Sequence, residues 1–400
     1  MRKPVFVALA AAVLIMLPGV AAHAQTYTDT TVYSFGATPT DGISPFGGLI
    51  IDAQGNLYGT TWSGGGSSNC SPFKGCGTVF KLDSSGNETI LHTFTGITDG
   101  AGPFGSLTMD KGGNLYGTTS AGGGPKNAGT VFKLTATGAY SILHAFGGFP
   151  TDGAAPAASL QVDGAGNLYG TAPAGGTHNF GMIFRLNAKG TETILYNFTG
   201  KTDGAYPSAN LIRDPAGDLY GTANAGGAFG GGVMFKLSSQ SVLDVMHSFC
   251  SLPACADGQT PFYIVRTAQG NFYGGTESGG TSNQGVIFEV NSKGTESTLR
   301  SFCAGGEASG CPDGSDPVGI LLASGKQLYG TAATGGNGAG LVFKLTPAGV
   351  ETVLFSFPGD FSEGASPIGV ILDSAGNFYG TALNGGSENS GDVFKLTKNQ

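Results

Sequence analysis

Charge is scarce in this 400-residue chain: 12% of its residues are Asp, Glu, Lys or Arg, and the formal net charge is −8. That balance excludes a nucleic-acid partner, because holding a phosphate backbone needs a basic surface. Only five histidines and one tryptophan occur, and no GxSxG, HExxH, CxxC or complete DxDxDG pattern is present, so no motif marks a triad, a zinc site or a calcium loop. Long hydrophobic runs are also missing. The one apolar stretch, Val5 to Leu17, falls short of the roughly 18 residues a membrane span needs. It follows Arg2 and Lys3 and leads to Ala22, His23 and Ala24, the pattern of a secretory signal peptide over residues 1–24. The expected mature chain, residues 25–400, is a single domain, secreted or periplasmic, with no membrane span, no anchor after Phe394 and no cofactor. It is expected to be a monomer. Without Arg2 and Lys3 it carries 17 basic against 27 acidic residues, a net charge of −10.

What is abundant is glycine, 72 residues, between short runs of Val, Ile, Thr, Tyr and Phe. Such runs bounded by turn residues read as strands and leave no room for long helices. One unit recurs throughout. Asn56-Leu57-Tyr58-Gly59-Thr60 is followed by Gly77-Thr78-Val79-Phe80-Lys81-Leu82, and the tyrosine returns as Tyr116, Tyr169, Tyr220, Tyr273, Tyr329 and Tyr379 at intervals of 50 to 58 residues. A fixed period of this size signals a solenoid, propeller or array. Each copy resolves into four strand-like runs, and four antiparallel strands of about five residues make one blade of a β-propeller.

The two ends of the chain decide between ring and solenoid. Six copies carry a fourth strand ending in Phe94, Phe146, Phe198, Phe249, Phe302 or Phe357, while the seventh stops after Phe394. The missing strand stands at the other end, as Thr31-Val32-Tyr33-Ser34-Phe35. A solenoid calls for atypical caps, and neither end has one. The expected fold is therefore all-β, a seven-bladed propeller closed by an N-terminal strand. Counting across the turn Asp83 to Gly86 sets Lys81 opposite Glu88, Arg185 opposite Glu192 and Lys344 opposite Glu351. It also sets Glu289 opposite Glu296, which would weaken blade five, and after closure it sets Asp29 opposite Lys395.

The six cysteines fall as three local couples in an exported chain, Cys70 with Cys76, Cys250 with Cys255 and Cys303 with Cys311, and read as disulfides rather than zinc ligands. An Asp-Gly followed by Pro recurs in the loop between blades, as at Asp41, Gly42 and Pro45, with Asp99, Asp152, Asp203, Asp257, Asp313 and Glu363 in the same place. Turn chemistry outweighs a cation ring here, since Asp caps its own backbone and Gly supplies positive φ. Asp52, Asp110, Asp163, Asp214 and Asp373 read likewise as Asx turns, and no metal site is expected. His92, His144 and His247 share one fourth-strand position with Tyr33, Tyr196, Arg300 and Phe355, which reads as packing or rim and not as catalysis. No catalytic residue is assigned. The candidate binding residues are Trp62 at the start of the disulfide-closed loop, Phe46, Phe104 and Phe262 directly after the repeated prolines, and His178 with Phe180, which break the repeat. For each aromatic alone, packing carries more weight than binding.

The unit Asn-Leu-Tyr-Gly-Thr, a Gly-Gly loop, Gly-Thr-Val-Phe-Lys-Leu and Glu-Thr-Ile-Leu resembles the GloVer tandem repeat of exported bacterial proteins, over essentially all of Thr31 to Leu396. That resemblance implies no established activity. More distantly, Asp163-Gly164-Ala165-Gly166-Asn167-Leu168-Tyr169 is similar to NHL and gluconolactonase-like propeller repeats, whose members include binding proteins and hydrolases. The leading expectation is a binding or interaction module for an extracellular glycan or protein. The alternatives are a propeller enzyme, lactonase-like or a polysaccharide lyase, and a purely structural envelope protein.

Overall fold

The computed structural model describes residues 27–70, 74–306, 310–322 and 327–399; the signal segment and its cleavage position lie outside them. Seven four-stranded antiparallel sheets form in chain order. In blade one, Ile50–Ile51, Leu57–Thr61, Thr78–Leu82 and Glu88–Thr93 pair from the inside outward. The seventh sheet joins Ala365–Leu372, Phe378–Asn384 and Asp392–Lys398 to Tyr27–Ser34, which supplies its outer strand. The fold is a seven-bladed β-propeller closed by its N-terminal strand. All six cysteines are paired in the three local couples.

The repeated residues are those that bring one blade against the next. A side chain at the strand-two glycine would strike the ring of the strand-three phenylalanine, at 2.6 Å for Gly59 on Phe80 and 2.3 Å for Gly380 on Phe394. The bare backbone thus seats the ring. Its exposed face takes the outer-strand phenylalanine of the preceding blade, Phe35 on Phe80 at 5.0 Å, Phe146 on Phe184 at 5.2 Å and Phe357 on Phe394 at 5.0 Å between centroids. The glycine opening strand three is equally constrained. Gly181 (φ +91°) faces Pro207 of the next blade and Gly391 (φ +92°) faces Pro45 across the closure, with no space for a Cβ at either. The threonine after strand-two glycine reaches forward too, Thr118 Oγ1 donating to the Ala158 carbonyl at 3.2 Å and Thr381 Oγ1 to the Gly47 carbonyl at 3.3 Å.

The cross-strand charge register is corrected by one residue. Leu82, not Lys81, lies opposite Glu88; Leu186 lies opposite Glu192, Leu345 opposite Glu351, Val290 opposite Glu296, and Leu396 opposite Asp29. Within the blades the cause is the turn. Asp83 pairs with Asn87 and Gly86 takes φ +83°, so the glycine forms a bulge that lengthens the connection. A slip of one residue moves a side chain to the other face. These acids therefore face the neighbouring blade, and the strand-three lysines instead cover tyrosines of strand two, Lys81 over Tyr58 at 5.8 Å and Lys395 over Tyr379 at 5.3 Å. The Glu289 and Glu296 clash does not arise, and Glu289 accepts from Asn271 Nδ2 at 2.8 Å.

One buried group breaks the pattern. Asp392 opens the closing strand-three segment where other blades place Thr78, Thr130, Met182, Val233, Val286 or Leu341. It is fully buried, and neither carboxylate oxygen has a hydrogen-bond partner. Burial, aided by Asp29, pushes its carboxyl up to about 8. Burial and then Glu363 raise Asp29 to about 7. Both lie above the unfolded value near 4, so the folded blade keeps protons the unfolded chain has released. The stability tied to this pair is complete below that unfolded value and is lost as pH rises through the folded values. Asp392→Val is expected to stabilise the protein by about 1–3 kcal/mol at neutral pH and to flatten the fall in Tm toward alkaline pH. Melting curves across that range check it, and an unchanged slope counts against the assignment. The glycine argument has its own test: Gly285→Ala, with φ +86° and the Thr276 carbonyl 2.3 Å from the added carbon, should cost about 2 kcal/mol or more. Gly164→Ala, in open space, should be near neutral in the same denaturation experiment.

Candidate binding rim

In an antiparallel meander the loops from strand two to three and from strand four to the next strand one leave the same rim. The hairpin turns leave the other. That second rim is chemically self-contained. Asp52 accepts from the backbone N–H of Gln54 and Asn56, from Asn56 Nδ2 at 2.7 Å and from Tyr58 Oη at 3.0 Å. Asp110 and Asp163 repeat the set with their own Asn and Tyr. These are Asx turns, and their donors hold the three carboxyls below the usual range against the opposing effect of burial. A broad cleft of about 740 Å³ opens there between blades seven and one, but Asp52 and Asp373, which line it, are engaged by their own turns.

The first rim is tied down before it is decorated. Gly42–Ile43 pairs with Ser63–Gly64 and Gly153–Ala154 with Ala174–Gly175, small sheets that pin each Asp-Gly loop to the Gly-Gly loop of its own blade. The loop acids cap backbone: Asp41 accepts from Gly36, Ala37 and Gly42 N–H, and Asp152 from Gly147 and Gly153 N–H at 2.6 Å each. The turn reading of these acids holds.

Trp62, His178 and Phe180 lie in the strand two-to-three loops, and all three disulfides lie in first-rim loops, so the residues singled out share one rim. They gather in separate places. Phe46 stacks on Phe104 at 4.5 Å and meets Trp62 edge-on at 6.4 Å, a half-buried aromatic platform across blades one and two. Beside it Trp62 also lines a cleft of about 240 Å³ with Asn69, the Cys70–Cys76 disulfide, Ser120 and Asn127. His178 is exposed, its Nδ1 3.0 Å from Thr177 Oγ1, and Phe180 packs near Tyr206 at 5.8 Å in blades three and four. Phe262 stands in blade five and joins neither group; its carbonyl accepts from Thr222. On the ring axis the innermost strands enclose about 140 Å³ lined by residues such as Gly48, Ser106, Tyr263, Val318 and Gly369, with no carboxylate or imidazole among them.

Two features escaped sequence reasoning. Six of the large hydrophobic side chains left exposed, Ile97, Phe149, Tyr206, Phe229, Leu252 and Phe361, stand on first-rim loops at 43–58% exposure. Their signal was available, since each is an apolar residue in a Gly-rich loop. The second is a set of polar joints between blades. The fourth-strand position read as packing places its side chain between the loop acid of its own blade junction and the first fourth-strand residue of the next blade. Tyr33 Oη lies 3.2 Å from Asp41 and 2.9 Å from Glu88, with one proton to give to either; Arg300 reaches Asp313 at 2.6 Å and Glu351 at 2.9 Å. His92 lies 3.3 Å from Asp99 and stacks on Tyr140, and His247 lies 3.4 Å from Asp257. Burial depresses both imidazoles despite these acids. It raises Glu88 to about 7, Tyr33 working against it and Asp41 with it.

Among curated proteins none matches the chain. Among solved structures, similar folds include an extracellular domain assigned to a hybrid two-component system of B. thetaiotaomicron, at TM-score 0.59 and 12% identity. That match covers 94% of this chain and 40% of the other, so the chain spans well under half of that neighbour. PorZ, a surface component of the type-IX secretion system of Porphyromonas gingivalis, matches at TM-score 0.54 and 14% identity over 87% of this chain and 46% of its own. A gluconolactonase from Xanthomonas campestris matches at 0.46 and 15%, over 93% and 90%. These likenesses speak to fold alone. The Gloeobacter/Verrucomicrobia repeat matches residues 19–164, 123–312 and 254–400, overlapping segments that together run from one end of the propeller to the other, and the chain belongs to that repeat family.

Proposed function

We propose that this is an exported recognition module that binds an extracellular glycan through its first rim. The observation that carries the reading is the Phe46, Phe104 and Trp62 platform, on the rim whose other loops also expose apolar side chains such as Phe149, Phe229 and Phe361. An aromatic face accepts the C–H face of a sugar ring, while neighbouring amides and hydroxyls such as Asn69, Ser120 and Asn127 suit its hydroxyl groups. Among the described residues none that lines that cleft is charged, which favours a neutral polymer over an ionic one. Disulfides agree with an oxidising compartment, and no helix among the described residues is long and apolar enough to cross a membrane. The competing lactonase reading calls for inward carboxylates, and the axial cavity offers Ser106 and Tyr263 instead.

The sole tryptophan makes the test specific, because intrinsic indole fluorescence reports on this cleft alone. Titration with soluble neutral polysaccharides should shift or quench Trp62 emission, and a glycan array should give a saturable hit. Phe46→Ala and Phe104→Ala should each weaken binding roughly tenfold, the loss of about 1.4 kcal/mol of stacking. A protein that binds through the platform-deleted variants as well as through the wild type has its ligand site elsewhere.

A further inference from the structure

The joint between blades two and three differs from its six sisters in how its donors converge: His247, Asp257 and Glu296 repeat the residue types between blades four and five, but there Glu296 is engaged by Thr298 Oγ1 at 3.1 Å. His144 Nε2 lies 3.3 Å from Asp152 Oδ2 and 3.7 Å from Glu192 Oε1, and the three ligand atoms lie within 4.8 Å of one another. Among the described residues no other group of three His, Cys, Asp or Glu side chains meets that spacing. His92 faces Tyr140 where His144 faces Glu192, so its joint has a single carboxylate.

The sister joints show what this space requires. Where blade five meets blade six, the same two acidic positions are bridged by the Arg300 guanidinium, a permanent cation. Where blade seven meets blade one, the Tyr33 hydroxyl lies within hydrogen-bond distance of both acids, 3.2 Å from Asp41 and 2.9 Å from Glu88. At blades two and three a single imidazole nitrogen faces both carboxylates. One N–H cannot satisfy two acceptors at 3.3 and 3.7 Å; Glu192 Oε1 is buried without a hydrogen-bond partner, as are Glu88 Oε1 and Glu351 Oε1, but those two glutamates are held at 2.9 Å through their other oxygen. The repeat thus places a positive or donating group between these acids, and here the protein's own side chains leave the second acid unserved.

We propose that His144, Asp152 and Glu192 form a divalent transition-metal site of the zinc type that fastens blade two to blade three. One imidazole and two carboxylates are borderline donors that suit Zn²⁺, Co²⁺ or Mn²⁺. The spacing fits: bonds of about 2.1 Å in tetrahedral arrangement hold two ligand atoms about 3.4 Å apart, between the two separations found. The set is oriented from behind. Asp152 is held by the N–H groups of Gly147 and Gly153, and the His144 ring is packed edge-on against Phe146 at 4.7 Å. Affinity at such a set rises with pH, because its ligands must be deprotonated to bind. The ion's part is mechanical, crosslinking two repeats as Arg300 does in its joint.

The test uses the whole mature protein after chelation. Calorimetric titration with Zn²⁺ should give one site per chain, Co²⁺ should give visible absorption of a low-symmetry site, and either ion should raise Tm. Glu192→Gln, nearly isosteric, should weaken binding roughly tenfold or more. His144→Arg, which copies Arg300, should abolish the metal response while keeping a metal-free Tm at or above that of the wild type. Absence of Co²⁺ absorption in the wild type, or an equal metal-induced shift in His144→Arg, overturns the proposal and leaves a proton as the joint's only occupant.

Discussion

The structure depends on an aromatic ring lying on a bare backbone. Gly59 and its six counterparts hold strand two open so that the strand-three phenylalanine can lie across it, and that ring has nothing to bury its other face in its own blade. The cover is the outer-strand phenylalanine of the preceding blade, as Phe94 on Phe132 at 5.4 Å and Phe249 on Phe288 at 4.8 Å. Such pairs add roughly 0.5–1.5 kcal/mol beyond the area they bury. A single repeat cannot satisfy this contact, so blades are stable only beside neighbours. Two rings at the ends of the chain would stay uncovered in an open array. Closure covers both, because Phe35 from the N-terminal strand reaches Phe80 of blade one while its strand completes blade seven.

How much of this was legible follows from where each partner sits in the chain. Tyr-Gly-Thr, Gly-Thr-Val-Phe and the displaced outer strand announce themselves by period, so blade number and closure could be read directly. The charge register could not, because it turned on whether Gly86 acts as a turn residue or as a bulge beyond the turn, and both readings fit Asp-Ser-Ser-Gly. The joints between blades were hidden for another reason: Tyr33 and Glu88 are 55 residues apart, and each looks ordinary in its own repeat. Asp392 was hidden by its setting, since a polar residue at the head of a strand reads as exposed until packing shows otherwise.

The two rims divide labour by the way they treat their carboxylates. On the hairpin rim, Asp, Asn and Tyr satisfy one another within seven residues, and the turns of blades one, two and three repeat the same set. Uniform, self-satisfied turns offer a ligand little. The first rim anchors its loops at their base through Asp-Gly and Gly-Gly pairing, which frees the loop tips to vary in length, to carry disulfides and to expose Phe149, Phe229 or Phe361. Trp62 stands where both conditions meet, at the anchored base of the loop that the Cys70–Cys76 bridge closes. A site on a rigid base is held more precisely than one on a free tip, which is why the platform and not the exposed tips serves as the centre of recognition.

The seven joints form a substitution series within one molecule, with Tyr33, His92, His144, Tyr196, His247, Arg300 and Phe355 in one structural place. In six of the joints the loop acid grips backbone N–H groups; what varies is the group that bridges to the next blade. Phe355 bridges nothing, and its joint brings Glu363 toward Asp29 with no cation between them, yet the blade still closes. Bridging is therefore an addition the ring tolerates in many forms. Seven nearly equivalent aromatic contacts hold the blades whether or not a given joint is bridged. A position under that weak a constraint can take up an arginine, a shared proton or a metal ligand without endangering the fold, and it is by that freedom that a repeat built for packing acquires local chemistry.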